Sequence, residues 1–177
     1  MRSISSVLFM IIIMCFVPGC RDRGMEAELA DLKAQAEIEQ GNKTAVLRMI
    51  EELNKGNFGI YEEICDPEYM LYSPSLNPQP LSLGQTIEFG KMLFQAFPDA
   101  SYDVKGVFVE RDRVIVWNTF TGTHEGEFQG IPPTGNKLIV GSILLFRFRN
   151  GKIIEEREEA DMLGAMMQMG MQLSPKQ

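Results

Sequence analysis

Hydrophobic residues follow two different periods along this chain, and the change comes at Pro98. Before it the spacing is helical. Val46, Leu47, Ile50 and Leu53 share one face of a helix that Lys55-Gly56-Asn57 stops. "FGIYEEICDP" predicts a second short helix ending before Pro67, and "EYMLYSP" a short strand. A Pro-rich loop, "SPSLNPQPLS", follows, and Ser82 caps a third helix, "LGQTIEFGKMLFQAF". After Pro98 the period is two. "SYDVKGVFVE", "RVIVWNTFTGTHEGEF", "KLIVGSILLFRFR" and "KIIEEREEA" predict four successive strands, with tight turns at Arg111-Asp112 and Asn150-Gly151. "DMLGAMMQMGMQL" follows as a short apolar helix. Helices first and a meander afterwards predict an α+β fold, in which helices cover one face of a curved sheet.

The N-terminal end changes the picture of where the protein works. Arg2 precedes an apolar run from Val7 to Val17, too short for a bilayer-spanning helix of about 20 residues. A basic start, a short apolar run and small residues after it predict a secretory signal over 1–19. Val17-Pro18-Gly19-Cys20 resembles the lipobox of bacterial lipoproteins. That resemblance implies lipid on Cys20 and an exported protein anchored to a membrane of the cell envelope. The plainer alternative is an ordinary cleaved signal beside an incidental cysteine. Residues 20–41 are charged and Ala-rich with a thin apolar stripe, and predict a partly helical tether. The domain proper is expected over 42–177. Only Cys65 is left over, which leaves the mature chain no internal disulfide. The net charge of −7 comes without a basic cluster. Nucleic acid and anionic membrane surfaces are therefore poor partners, and membrane contact is expected through the lipid alone.

Candidate chemistry centres first on "HEGEFQGIPPTGNK", His124 to Lys137, which holds the chain's single histidine. Gly130 and Gly135 have four residues between them, one residue away from a phosphate-binding loop of the form GxxxxGK(S/T). That reading fails mechanically. Pro132 and Pro133 have no N–H to offer a phosphate, no Ser or Thr follows Lys137, and a strand follows where a helix is needed. The stretch predicts a wide hairpin connection.

Longer segments carry a family resemblance. "TGTHEGEFQGIPPTGNK" resembles the strand-and-loop signature of the SnoaL-like polyketide cyclases. "FPDASYDV", "VERDRVIV" and "FRFRNGKIIEEREEADMLGAMMQMG" are similar to further family motifs in the expected order, over about Asn42 to Gly170. The resemblance implies a fold of the nuclear transport factor two type: a cone-shaped curved antiparallel sheet with about three helices enclosing an apolar pocket. It also implies a homodimer through the open sheet face. The family's aspartate near the C-terminus, a general acid/base on a polyketide, corresponds to Asp161. No cofactor and no metal are required for that chemistry. An aspartate immediately before a helix is equally a favoured N-cap.

Around that position the expected pocket residues are Phe94, Trp117, Phe146, Tyr72 and Arg157, with His124 positioning substrate or simply paired at a strand end. Two departures from the family pattern stand out. Tyr72 lies where a histidine is common, and Arg157 replaces a tryptophan four residues before Asp161. Strand alternation leaves both faces open for Arg147 and Arg157. The expected ligand is a small apolar or carbonyl-containing molecule. The chain then reads as an ester cyclase or polyketide cyclase, or as a lipid-anchored binding module with the same pocket. An accessory domain that offers its sheet face to a protein partner is a third reading.

Overall fold

The computed structural model describes residues 23–172 and 174. The signal over 1–19 and the lipidation site Cys20 lie outside the described residues. Among the described residues four helices and six strands follow in order: α1 (Arg23–Asn54), α2 (Ile60–Ile64), β1 (Cys65–Tyr72), β2 (Leu81–Ser82), α3 (Leu83–Ala96), β3 (Ser101–Glu110), β4 (Arg113–Thr123), β5 (Lys137–Arg149), β6 (Lys152–Ala160) and α4 (Met162–Gln168).

Helix α1 runs unbroken through the boundary expected near Asn42. Residues 24–38 of it are exposed, whereas Val46, Met49, Ile50 and Leu53 are buried. Gly56, with φ +74°, ends it because a side chain is strained in that conformation. Helix α3 begins at Ser82 as expected: Gln85 Oε1 accepts from the Ser82 backbone N–H and hydroxyl, both at 2.9 Å.

The sheet order is β2-β1-β6-β5-β4-β3. The antiparallel meander β3–β6 is as expected, but the sheet is mixed, because β1 lies parallel to β6. It is open and curved. The four helices read from the residues, the short α2 and α4 included, all form, one more than the roughly three that the family resemblance implies. The strand predicted to reach Phe128 stops at Thr123. Beyond it, the backbone N–H groups of Glu125 and Gly126 both donate to Ala96 O at 2.9 Å, tying this segment to the end of α3. A Cβ at Gly126 would lie 2.7 Å from Gln95 O and 2.8 Å from Ala96 Cα, so only glycine permits the approach.

One irregularity positions everything that follows. The Asn150-Gly151 turn, with φ of 53° and 75°, pairs Arg149 with Lys152. An uninterrupted hairpin would then set Phe146 opposite Glu155. Instead the register shifts between Arg147 and Phe148, so that Phe146 faces Glu156 and Leu144 faces Glu158. Ile153 and Ile154 are consequently both buried. A one-residue bulge reverses the face of each side chain beyond it.

Candidate active site

On β5 the even-numbered residues from Leu138 to Phe148 point into the cone, and they are all buried. Through the bulge, β6 contributes Glu156 and Glu158 to that same inner face. Two apolar cavities lie beneath it. The outer one, about 60 Å³, is lined by Leu76, Phe97, Phe128, Val140, Ser142, Met162 and others, with Glu158 in its wall. The inner one, about 50 Å³, is lined by Tyr61, Thr86, Phe94, Leu144, Glu156 and Glu158 among others. Phe89, Leu93, Tyr102 and Glu158 border both. A water needs roughly 10–15 Å³ by this measure, so each chamber takes a few small groups and the pair suits a small ligand.

Glu158 is therefore a carboxylate at the junction of two apolar chambers. Burial pushes its pKa up to about 6, offset in part by the Ser73 hydroxyl, which donates to Oε2 at 3.3 Å. Glu156 is 5% exposed and accepts a hydrogen bond from the Tyr69 hydroxyl. Burial pushes its pKa up to about 8; the Tyr69 bond opposes the shift and the negative charge of Glu158 adds to it. On the adjacent rows, Ser142 donates to Asn118 Oδ1 at 3.0 Å. Asn118 Nδ2 and His124 Nε2 are fully buried and lack a partner among the described residues.

The residues expected to form the site are only partly brought together. Phe94 lines the inner cavity. Phe146 is fully buried but lines neither cavity; it fills the core. Trp117 is corrected to the outer face, 54% exposed, because the alternation that buries Val116 and Asn118 turns it away. Arg157 and Tyr72 are likewise corrected: register pairs them on the outer face, with the guanidinium 4.5 Å from the ring centroid. Arg147 also faces outward, and both arginines pair with Glu155 at 2.7 Å.

Asp161 lies one residue past the end of β6, exposed and outside both cavity linings. Its carboxylate accepts from Gly164 N at 2.8 Å and caps α4, an interaction worth about 1 kcal/mol. His124 is buried and stacked on Phe97 at 5.2 Å between centroids, with Nδ1 and the Thr134 hydroxyl 3.1 Å apart. Burial pushes its pKa down. It lines neither cavity, and braces the Phe97 wall from behind.

Glu156 and Glu158 were hidden in the sequence because "EEREE" puts charge on both faces of the strand. The only sequence signal was a pair of adjacent isoleucines, Ile153-Ile154, the mark of a bulge in a strand of period two.

Comparisons agree with this architecture. A model of the SnoaL-like polyketide cyclase family matches residues 43–169. Aklanonic acid methyl ester cyclase AcmA of Streptomyces galilaeus is 31% identical over 130 residues, covering 71% of this chain and 88% of the relative. Among solved structures, a protein from Jannaschia sp. CCS1 assigned to the SnoaL-like polyketide cyclases has a TM-score of 0.70 and 31% identity, covering 77% of this chain and 96% of that one. AclR from Streptomyces galilaeus, described as a hydroxylase, has a TM-score of 0.68 and 27% identity, covering 75% and 97%. With the family model spanning most of the domain and its elements in place, this chain belongs to the SnoaL-like polyketide cyclase family.

Proposed function

We propose that the protein is a cofactor-independent acid/base cyclase acting on a small, largely apolar carbonyl compound, with Glu158 as the group that moves the proton. The observation that carries this reading is a half-buried carboxylate in the shared wall of two apolar cavities. A base with a pKa near 6 is largely ionised at neutral pH and has lost much of its hydration, a combination suited to abstracting a proton next to a carbonyl. Glu158 takes the α-proton, and the C–H electron pair becomes an enolate. The enolate carbon adds to a second carbonyl of the same molecule, forming a C–C bond, and the resulting alkoxide recovers the proton from Glu158. The similarity to a methyl ester cyclase supports a carbonyl substrate. The test is deuterium exchange at the α-carbon of a small aromatic β-keto ester, compared between wild type and Glu158→Gln. Binding of that ester without exchange would favour the binding-module reading.

A second copy of the chain completes the proposed assembly. On the outer sheet face Phe108, Trp117, Ile139 and Ile143 are each more than half exposed, and Ile115 stands among them at 37%. Exposed apolar side chains gathered on one sheet face suit a twofold partner bearing the same face. Trp117→Glu is expected to shift sedimentation from dimer to monomer mass; a monomeric wild type would reject the assignment.

The lipobox-like Val17–Cys20 supports lipid anchoring outside the cytoplasm. Among the described residues no helix is long and apolar enough to cross a membrane. Cys20→Ser is expected to move the full chain from the membrane fraction to the soluble one; an unchanged distribution would contradict a lipid on Cys20.

A further inference from the structure

Glu156 is not used by the proton transfer above, yet it borders the same pocket. It lines the inner cavity two residues from Glu158 on the same face of β6, which sets their Cα atoms about 7 Å apart. The Tyr69 hydroxyl occupies Glu156 Oε2 alone; among the described residues Oε1 has no hydrogen bond. A carboxyl fixed at one oxygen and open at the other can serve a ligand. Resting on the Glu158 reading, we propose that Glu156 is a second catalytic group, donating a hydrogen bond to the carbonyl oxygen on which charge develops when Glu158 removes the α-proton.

The protonation state follows from the surroundings. Every titratable group facing Glu156 is neutral or negative: Tyr69 and Cys65 from β1, Tyr61 from α2, Tyr102 from β3 and Glu158 on its own strand. Burial and the Glu158 charge keep Glu156 protonated up to about pH 8. Glu158 is ionised above about pH 6. Two carboxyls whose environments push their affinities for protons apart divide into one base and one acid. The step balances without another reactant. Glu158 accepts the proton, the C–H pair forms the C=C bond, the carbonyl π pair moves to oxygen, and Glu156 stabilises that oxygen while keeping its own proton. Substrate geometry follows as well: the carbonyl oxygen enters the inner chamber at Glu156, and the apolar body extends past Glu158 into the outer one.

The experiment is the pH profile of kcat/KM for α-deuterium exchange into the aromatic β-keto ester. Wild type should rise through about pH 6 and fall through about pH 8. Glu156→Gln still accepts from Tyr69 and still offers an N–H donor, but does not titrate. It should keep the acidic limb and lose the alkaline one. Glu156→Met combined with Tyr69→Phe removes the donor without stranding the tyrosine hydroxyl. It should lose about 100-fold in rate at pH 7, as expected for one lost donor to an oxyanion. An alkaline limb unchanged in Glu156→Gln, or wild-type rate in the double variant, overturns the proposal while leaving Glu158 as base. If wild type exchanges nothing, the Glu158 reading fails, and binding of nitrophenolate as an oxyanion probe decides on Glu156. Loss of binding above about pH 8 in wild type and its absence in the double variant supports the donor; equal binding in both rejects it.

Discussion

Glu158→Gln should lower α-proton exchange by about 100- to 10,000-fold, the span usually supplied by a positioned acid or base. Gln fills nearly the same volume and can still accept from the Ser73 hydroxyl, so the fold is expected to persist. What disappears is the carboxylate placed at the junction of both cavities. The loss should fall on kcat and kcat/KM together, because the missing interaction is made with the proton in flight. In wild type the rate should climb as pH rises through about 6, where Glu158 becomes ionised. A variant that keeps more than a tenth of the wild-type rate would remove Glu158 from the chemistry. The cap residue Asp161, matched to the family's catalytic aspartate, would then be the next carboxylate to test.

Thermal stability should fall between about pH 5 and pH 9, opposite to the usual behaviour of carboxylates paired on a protein surface. Glu156 and Glu158 bind protons more tightly in the folded chain than in the unfolded one, whose glutamates titrate near 4.5. Their contribution is fully present below about 4.5, where both states are protonated. As pH rises, the unfolded chain releases its protons first. Stability therefore declines until the folded carboxyls have titrated, through about 6 for Glu158 and about 8 for Glu156. The combined loss is on the order of several kcal/mol, or roughly 10 °C in melting temperature. The exposed or half-buried carboxylates Glu39, Glu52, Glu63, Asp66 and Asp99 act the other way. Hydrogen bonds lower their pKa values, so what they contribute is lost only as pH falls below the ordinary carboxylate range. The optimum then sits near pH 5. Glu156→Gln should melt higher than wild type at pH 9 and flatten the upper part of the curve. A profile that rises from pH 5 to 9 would show that Glu156 is solvated and ionised in the folded protein.

Much of this was written in the order of residues. Hydrophobic spacing sufficed for the main helices and the four-strand meander, because a helix face or a half-buried strand repeats its apolar residues locally. The family resemblance was legible for a similar reason: "GTHEGEF", "PTG" and "NGKI" are short motifs that fix turns and strand ends. Even the cap at Asp161 could be read from its place before a helix.

The site could not be read in the same way, since it depends on which face of β6 turns inward. Five consecutive charged residues, Glu155 to Glu159, have no alternation to reveal a face. Continuing the hairpin from Asn150-Gly151 would have turned Glu155 and Arg157 inward; the bulge at the start of β6 turned them out and brought Glu156 and Glu158 in. Trp117 was misplaced for the related reason that an aromatic residue suits a pocket and an exposed sheet face equally well. By itself, then, the sequence determined the main elements, their order and the family, while the short β2 fell in a stretch that reads as a loop. Tertiary structure alone decided which carboxylates are buried, because burial is a property of strand register, and one inserted residue exchanges the two faces of a strand.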